Sequence, residues 1–106
     1  MERKKHQLYQ ARARIMKAMA HPTRLFIVDE LSQRARCVSE LTEMVGADIS
    51  TVSKHLAVLS SVGIVEDEKR GAQVYYTLRT PCVLNFFNCV ERVLRTAARE
   101  QLALTR

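Results

Sequence analysis

No run of aliphatic or aromatic residues in the 106-residue chain exceeds four, as in Leu25-Phe26-Ile27-Val28. That is far short of the ~20 apolar residues a membrane helix requires. The basic start, Met1-Glu2-Arg3-Lys4-Lys5, leads into no apolar signal-peptide core, so the cytoplasm is the expected compartment and no membrane partner is expected. Three cysteines, Cys37, Cys82 and Cys89, are an odd number and too few for a disulfide framework. Free thiols, a metal site or a redox switch remain open. No nucleophile–base pair, phosphate-cradling glycine loop or H-E-x-x-H motif is visible, which argues against an enzyme. Internal repeats and low-complexity tracts are absent as well.

What is present fits a single folded domain spanning residues 1–106. Hydrophobic residues make up 47% and charged residues 26%, the balance of an ordinary soluble domain. A chain of this size closes only a thin core, and burying a further face in a partner would help it. The net charge is +6, which favours a polyanionic partner. The surplus is localised. Residues 1–24 carry seven Lys and Arg against one acid, whereas residues 25–106 balance at ten against ten. The excess therefore belongs to the N-terminal arm and first helix, where it suits either a solvated helix face or phosphate contact along a duplex.

The periodicity predicts five helices and one hairpin. After a flexible arm at residues 1–6, Leu8, Ala11, Ile15 and Met19 form one apolar helical face. Pro22 suits the first position of a second helix, with Leu25, Phe26, Val28 and Leu31 inward, and residues 32–36 read as a polar loop. A short third helix over 38–45 has Val38, Leu41 and Val45 inward and Gly46 as its C-terminal cap. In the fourth helix, over 49–62, Ile49, Val52, Leu56 and Leu59 form the inward seam. Two strands, 64–68 and 73–78, are joined at Lys69-Arg70-Gly71-Ala72. A last helix over 82–104 carries Val83, Phe86, Phe87, Val90, Val93, Leu94 and Ala97 at helical spacing. That stripe is longer than a small domain needs for its own core, so it is expected to pack, with the first helix, against a second copy.

Helix, turn, helix, hairpin over residues 38–78 is the order of a winged helix-turn-helix, mainly α in the order α-α-α-α-β-β-α, with the helix-turn-helix at 38–62 and the wing at 64–78. The fourth helix then becomes the element that enters a DNA major groove. Its outward face is small and hydroxylic: Lys54 stands opposite the seam, flanked by Ser50, Thr51, Ser53 and Ala57. Such side chains can approach base edges and phosphates closely and donate to both. Asp48 reads as an N-terminal cap. His55 lies at the edge of the wheel, where a structural hydrogen bond competes with a DNA contact. Arg70 and Gln73 are the wing candidates, with Lys69 at the tip. Glu66, Asp67 and Glu68 would have to point away from phosphate.

His21-Pro22-Thr23-Arg24-Leu25, Val38-Ser39-Glu40-Leu41, the run from Ser50 to Leu59 and Gly63-Ile64-Val65 together resemble the ArsR/SmtB family of repressors, over about residues 8–95. The resemblance implies a homodimeric winged helix that represses transcription from an operator and needs no cofactor to bind it. It also implies an inducer, often a thiophilic metal ion, that releases the DNA.

The thiols match the family's inducer sites only in part. One subclass carries Cys-Val-Cys-Asp-Leu at the third helix; this chain reads Cys37-Val38-Ser39-Glu40-Leu41, and its N-terminal arm has no cysteine. Zinc-sensing members begin the last helix with aspartate-x-histidine; here it reads Thr80-Pro81-Cys82, and the later ligand positions fall on Val93 and Thr96. Cys82 and Cys89 are seven apart, about 10 Å along a helix axis, beyond the ~7 Å Cα limit for a disulfide. They would join only if Cys82 preceded the regular helix or paired with a second copy. The expected inducers are thiol-reactive: As(III), Cd(II) or another soft ion on Cys37, Cys82 and Cys89. A cysteine-based redox or persulfide response is the alternative, and purely structural thiols remain open. A reading of a different class is a winged helix used only for protein–protein contact.

Overall fold

The computed structural model describes residues 1–105. Its elements run α1 (Arg3–Met19), α2 (Pro22–Leu31), β1 (Arg36–Cys37), α3 (Val38–Val45), α4 (Ile49–Ser61), β2 (Val65–Arg70), β3 (Gln73–Leu78) and α5 (Val83–Leu104). The mainly α winged helix class holds, with five helices and the hairpin in the expected order. One element was not expected. Arg36 and Cys37 pair antiparallel with Tyr76 and Tyr75, giving a three-stranded sheet of order β1-β3-β2. A two-residue strand is too short for alternation to register. Its polar lead residue is stabilised by ion pairs: Arg36 meets Glu30 at 2.7 Å and Glu40 at 3.0 Å.

The flexible arm at residues 1–6 is also corrected. α1 starts at Arg3, because nothing between Arg3 and Met19 is Gly or Pro and exposed Lys, Arg and Gln are good helix formers. In the hairpin, strand pairing continues to Arg70 opposite Gln73. Only Gly71-Ala72 joins the strands, and Gly71 has φ 63°, as the first central residue of a type II′ turn requires. Gly46 caps α3 at φ 77°, its N–H reaching the Thr42 carbonyl.

The core gathers Ala18 and Met19 of α1, Ile27, Val28 and Leu31 of α2, Leu41 of α3, Val52, Leu56 and Leu59 of α4, and Ile64 and Val65 at the wing base. Each buried Val, Leu, Ile or Met side chain among them contributes about 1.5–3 kcal/mol relative to exposure. Other expected inward residues are not covered. Leu8, Ile15, Leu25 and Phe26 are exposed, and α5 buries no residue at all. Their periodicity is real, but within one chain it is largely uncovered, Val83 and Phe87 of α5 packing only partly against the core.

Candidate nucleic-acid interface

The recognition helix is pinned from below. Val52, Leu56 and Leu59 are 0% exposed. Ser50, Thr51, Ser53, Lys54 and Ala57 stand in solvent on the rest of its surface. Its start is fixed by Asp48, which accepts the Thr51 N–H and the Ser50 hydroxyl, both at 2.8 Å. These bonds hold the Asp48 carboxyl below its usual range, the Thr51 N–H contributing most. The Ser50 hydroxyl is thereby turned toward its own cap.

Ile49 departs from the sequence expectation: it is 56% exposed rather than part of the buried seam. It is the first residue of α4, where no neighbouring side chain covers it. Angular position on a wheel says which way a side chain faces, not whether anything lies there. The result is a branched apolar group beside the hydroxyl face, of the kind that contacts a thymine methyl in a major groove.

His55 is half-buried and engaged. Its Nδ1 accepts from Arg24 Nε at 3.1 Å, and its ring lies 4.4 Å from that of His21. Burial, then the neighbouring His21 and Arg24, hold the His55 pKa below the usual imidazole range. Of the two expectations for His55, the structure shows the hydrogen bond: an imidazole bonded to Arg24 of α2 supports the helix from its flank. Sequence reasoning gave no role to His21 or Arg24. The available signal was a histidine directly before Pro22, the position that caps a helix N-terminus.

In the wing, register puts Glu68, Arg70, Gln73 and Tyr75 on one face, since cross-strand partners share a face. The Arg70 guanidinium lies 4.9 Å over the Tyr75 ring and 3.3 Å from Glu68. The opposite face carries Val65, Tyr76 and Leu78 onto the core. Burial, then Asp67 across the ladder, push the Tyr76 hydroxyl's pKa up. Gln73 is exposed at the turn.

The thiols are dispersed. Cys37 is buried where β1 meets α3, and its N–H donates to Glu40 Oε1 at 3.1 Å. Cys82 and Cys89 are exposed at the start and in the second turn of α5. Cys82 already has helical φ and ψ, and i to i+3 bonds run from Thr80 to Asn85, so it does not swing away from the helix axis. Among the described residues no three His, Cys, Asp or Glu side chains are gathered around a possible ion position. One chain therefore does not bring the three thiols together.

α1, α2 and α5 border an apolar groove of about 710 Å³ lined by Met16, Met19, Leu25, Phe26, Phe86 and Val90 among others. Among the described residues no helix is long and apolar enough to cross a membrane.

Residues 21–67 match the model of the family described as bacterial regulatory protein, arsR family. The uncharacterized HTH-type transcriptional regulator Rv0081 of Mycobacterium tuberculosis is 31% identical over 98 residues, covering 92% of this chain and 86% of that one. The chain belongs to the ArsR family of transcriptional regulators. The crystal structure of Rv0081 matches it at TM-score 0.79 and 30% identity, covering 90% of this chain and 96% of the other. A homodimeric winged helix-turn-helix DNA-binding domain from Mycobacterium bovis matches at TM-score 0.79 and 31% identity, covering 94% and 93%. The biofilm growth-associated repressor of Xylella fastidiosa is 30% identical over 88 residues, covering 83% and 77%. ArsR-family proteins are regulators rather than enzymes, and the matched span in this member runs from the α2 cap through the recognition helix into the wing.

Proposed function

We propose that this ArsR-family regulator is a homodimeric repressor that holds operator DNA and lets go when its thiols react. The observation that carries the reading is the division of α4: Val52, Leu56 and Leu59 fully buried, Lys54 and its hydroxyl neighbours free. Ser50, Thr51, Ser53 and Lys54 enter the major groove, with Ile49 beside them, and Arg70 and Gln73 reach the flanking backbone. A second copy covers the apolar α1 and α5 surfaces. This fits the exposure of Phe86, Val90, Val93 and Leu94 and the homodimeric state of the Mycobacterium bovis relative.

The inducer is thiol-reactive, As(III) or Cd(II) being the soft ions that thiolates select. The exposure of Cys82 and Cys89 supports access to such a reagent. The dispersal of the three thiols favours a second reading of the same response. Two accessible thiols on facing helices of a dimer suffice for an oxidative or persulfide-driven disulfide, whereas one ion needs a convergent set.

A binding titration on the DNA upstream of the gene tests all of this under reductant, with As(III), Cd(II), peroxide or a persulfide donor added in turn. Ion-driven release that is lost in Cys82→Ser or Cys89→Ser supports the metal reading. Release by oxidant that dithiothreitol reverses supports the redox reading. Weak binding that ignores sequence would favour a protein-interaction module instead.

A further inference from the structure

Three helices meet at Arg24. Its Nη1 donates to the Ala18 carbonyl at the end of α1, 3.0 Å, and its Nε donates to His55 Nδ1 on the recognition helix, 3.1 Å. Beside it, His21 Nδ1 accepts the Thr23 N–H at 3.0 Å and so caps α2, the helix that carries Arg24. The two imidazole rings lie 4.4 Å apart, tilted by 43°.

Both imidazoles use Nδ1 as an acceptor, and a ring nitrogen accepts only while it is unprotonated. His55 is therefore neutral in this arrangement, with its proton on Nε2. Protonating His55 would turn its acceptor into a donor aimed at a guanidinium and set two cations against each other. The charged and titratable groups facing His55 are His21 and Arg24 from α2. α1 contributes only the neutral Ala18 carbonyl, through Arg24, and on α4 itself the adjacent ionisable group is Lys54.

We propose that Arg24 and His21 are positioning residues for the recognition helix, holding α4 against α1 and α2 through His55 only while the His55 imidazole is neutral, so that acidification loosens the helix and weakens operator binding. The proposal rests on the operator-binding reading above for its DNA readout, but not for the latch itself. Its sign opposes simple electrostatics, because an added positive charge near a duplex would by itself strengthen binding.

The test uses the full chain and the DNA upstream of its gene, by fluorescence anisotropy at constant salt from pH 7.5 to pH 5.5. An imidazole at its ordinary pKa of about 6.5 would give a roughly tenfold fall over that range. His55 is held lower, so the expected fall from it is measurable but smaller than tenfold. His55→Gln keeps an acceptor for Arg24 but cannot titrate, so its affinity should change less than about twofold between the two pH values. An affinity that holds or rises on acidification in the unmutated chain, or an equal fall in His55→Gln, overturns the proposal. NMR of the imidazoles in the DNA-free protein gives an independent reading. The expected result is an Nε2–H tautomer for His55 and a titration midpoint that moves up in Arg24→Met. An Nδ1–H tautomer or an unmoved midpoint overturns the latch. If no DNA is bound at pH 7.5 the operator reading fails, and the imidazole titration still decides for or against the latch.

Discussion

The Arg70 guanidinium lies 4.9 Å above the Tyr75 ring while its Nη2 reaches Glu68 at 3.3 Å. Before any DNA arrives, the wing's arginine is thus occupied by its own sheet. The ion pair is solvent-exposed and worth little to the fold, but the proposed phosphate contact of Arg70 would require giving it up. Glu68→Gln frees the guanidinium and removes a negative charge beside the duplex. Operator affinity measured by anisotropy in ~0.1 M salt should rise about two- to fivefold, with the melting temperature nearly unchanged.

Lys54 is the cation that the α4 face presents most openly. Lys54→Ala should weaken binding to all sequences alike. The slope of log affinity against log salt should fall in magnitude by about one, as expected when one phosphate contact is lost. An unchanged slope would take Lys54 off the phosphates.

Ile49 and Leu56 separate reading from folding on one helix. Leu56→Ala opens a cavity under α4 and should cost about 2–5 kcal/mol in chemical denaturation. Ile49→Ser, at an exposed position, should change stability by less than about 0.5 kcal/mol, yet reduce operator affinity by roughly threefold or more if the side chain meets a thymine methyl. A large stability loss in Ile49→Ser would show that the residue is covered.

The caps set the acid limit of the domain. Asp48 is held below its ordinary range by the Thr51 N–H and then the Ser50 hydroxyl, and Glu40 by the Cys37 N–H and then Arg36. Carboxyls lowered in the folded state bind protons more readily when unfolded. Their contribution is therefore complete above the unfolded values near 4, and it drains away as pH falls below them. Melting temperatures in Asp48→Ala should lie about 5 °C under those of the unmutated chain at pH 7. The gap should narrow as pH falls below about 4 and close only once the folded-state Asp48 carboxyl is itself protonated.

Val93 and Leu94 are 66% and 61% exposed on α5. If a second copy covers them, Val93→Glu with Leu94→Glu should convert a dimer into monomers at micromolar concentration by analytical ultracentrifugation. Operator affinity should fall at least about a hundredfold, because each half would bind alone. A chain that sediments as a monomer without the substitutions would remove the α1 and α5 surfaces from the proposed dimer.

The elements most legible in sequence are those whose residues answer to local chemistry. Pro22 at the first position of α2, Asp48 ahead of α4 and Gly46 after α3 mark their boundaries because caps and backbone restriction act within a few residues. Val52, Leu56 and Leu59 announce their burial through spacing. What stayed hidden depends on where the chain ends up. Ile49 has the right angle and no neighbour above it. β1 exists only because β3 offers it an edge, and Arg36 tolerates that place through Glu30 and Glu40 from two other elements. The link from Arg24 to His55 crosses 31 positions, a separation at which sequence pattern says nothing about contact. The thiols were visible as three residues, but their separation in space was not.

β1 is two residues long and ties Cys37, the residue that leads into α3, to Tyr75 in the wing. Helix-turn-helix and wing are thereby stitched together through the sheet, with no free linker between the helix proposed to read bases and the wing proposed to grip the flank. A pair joined in that way cannot stretch to suit its target. Any mismatch in groove width or helical phase must be absorbed by the duplex, so sites with pliable base steps should be preferred even at positions no side chain touches.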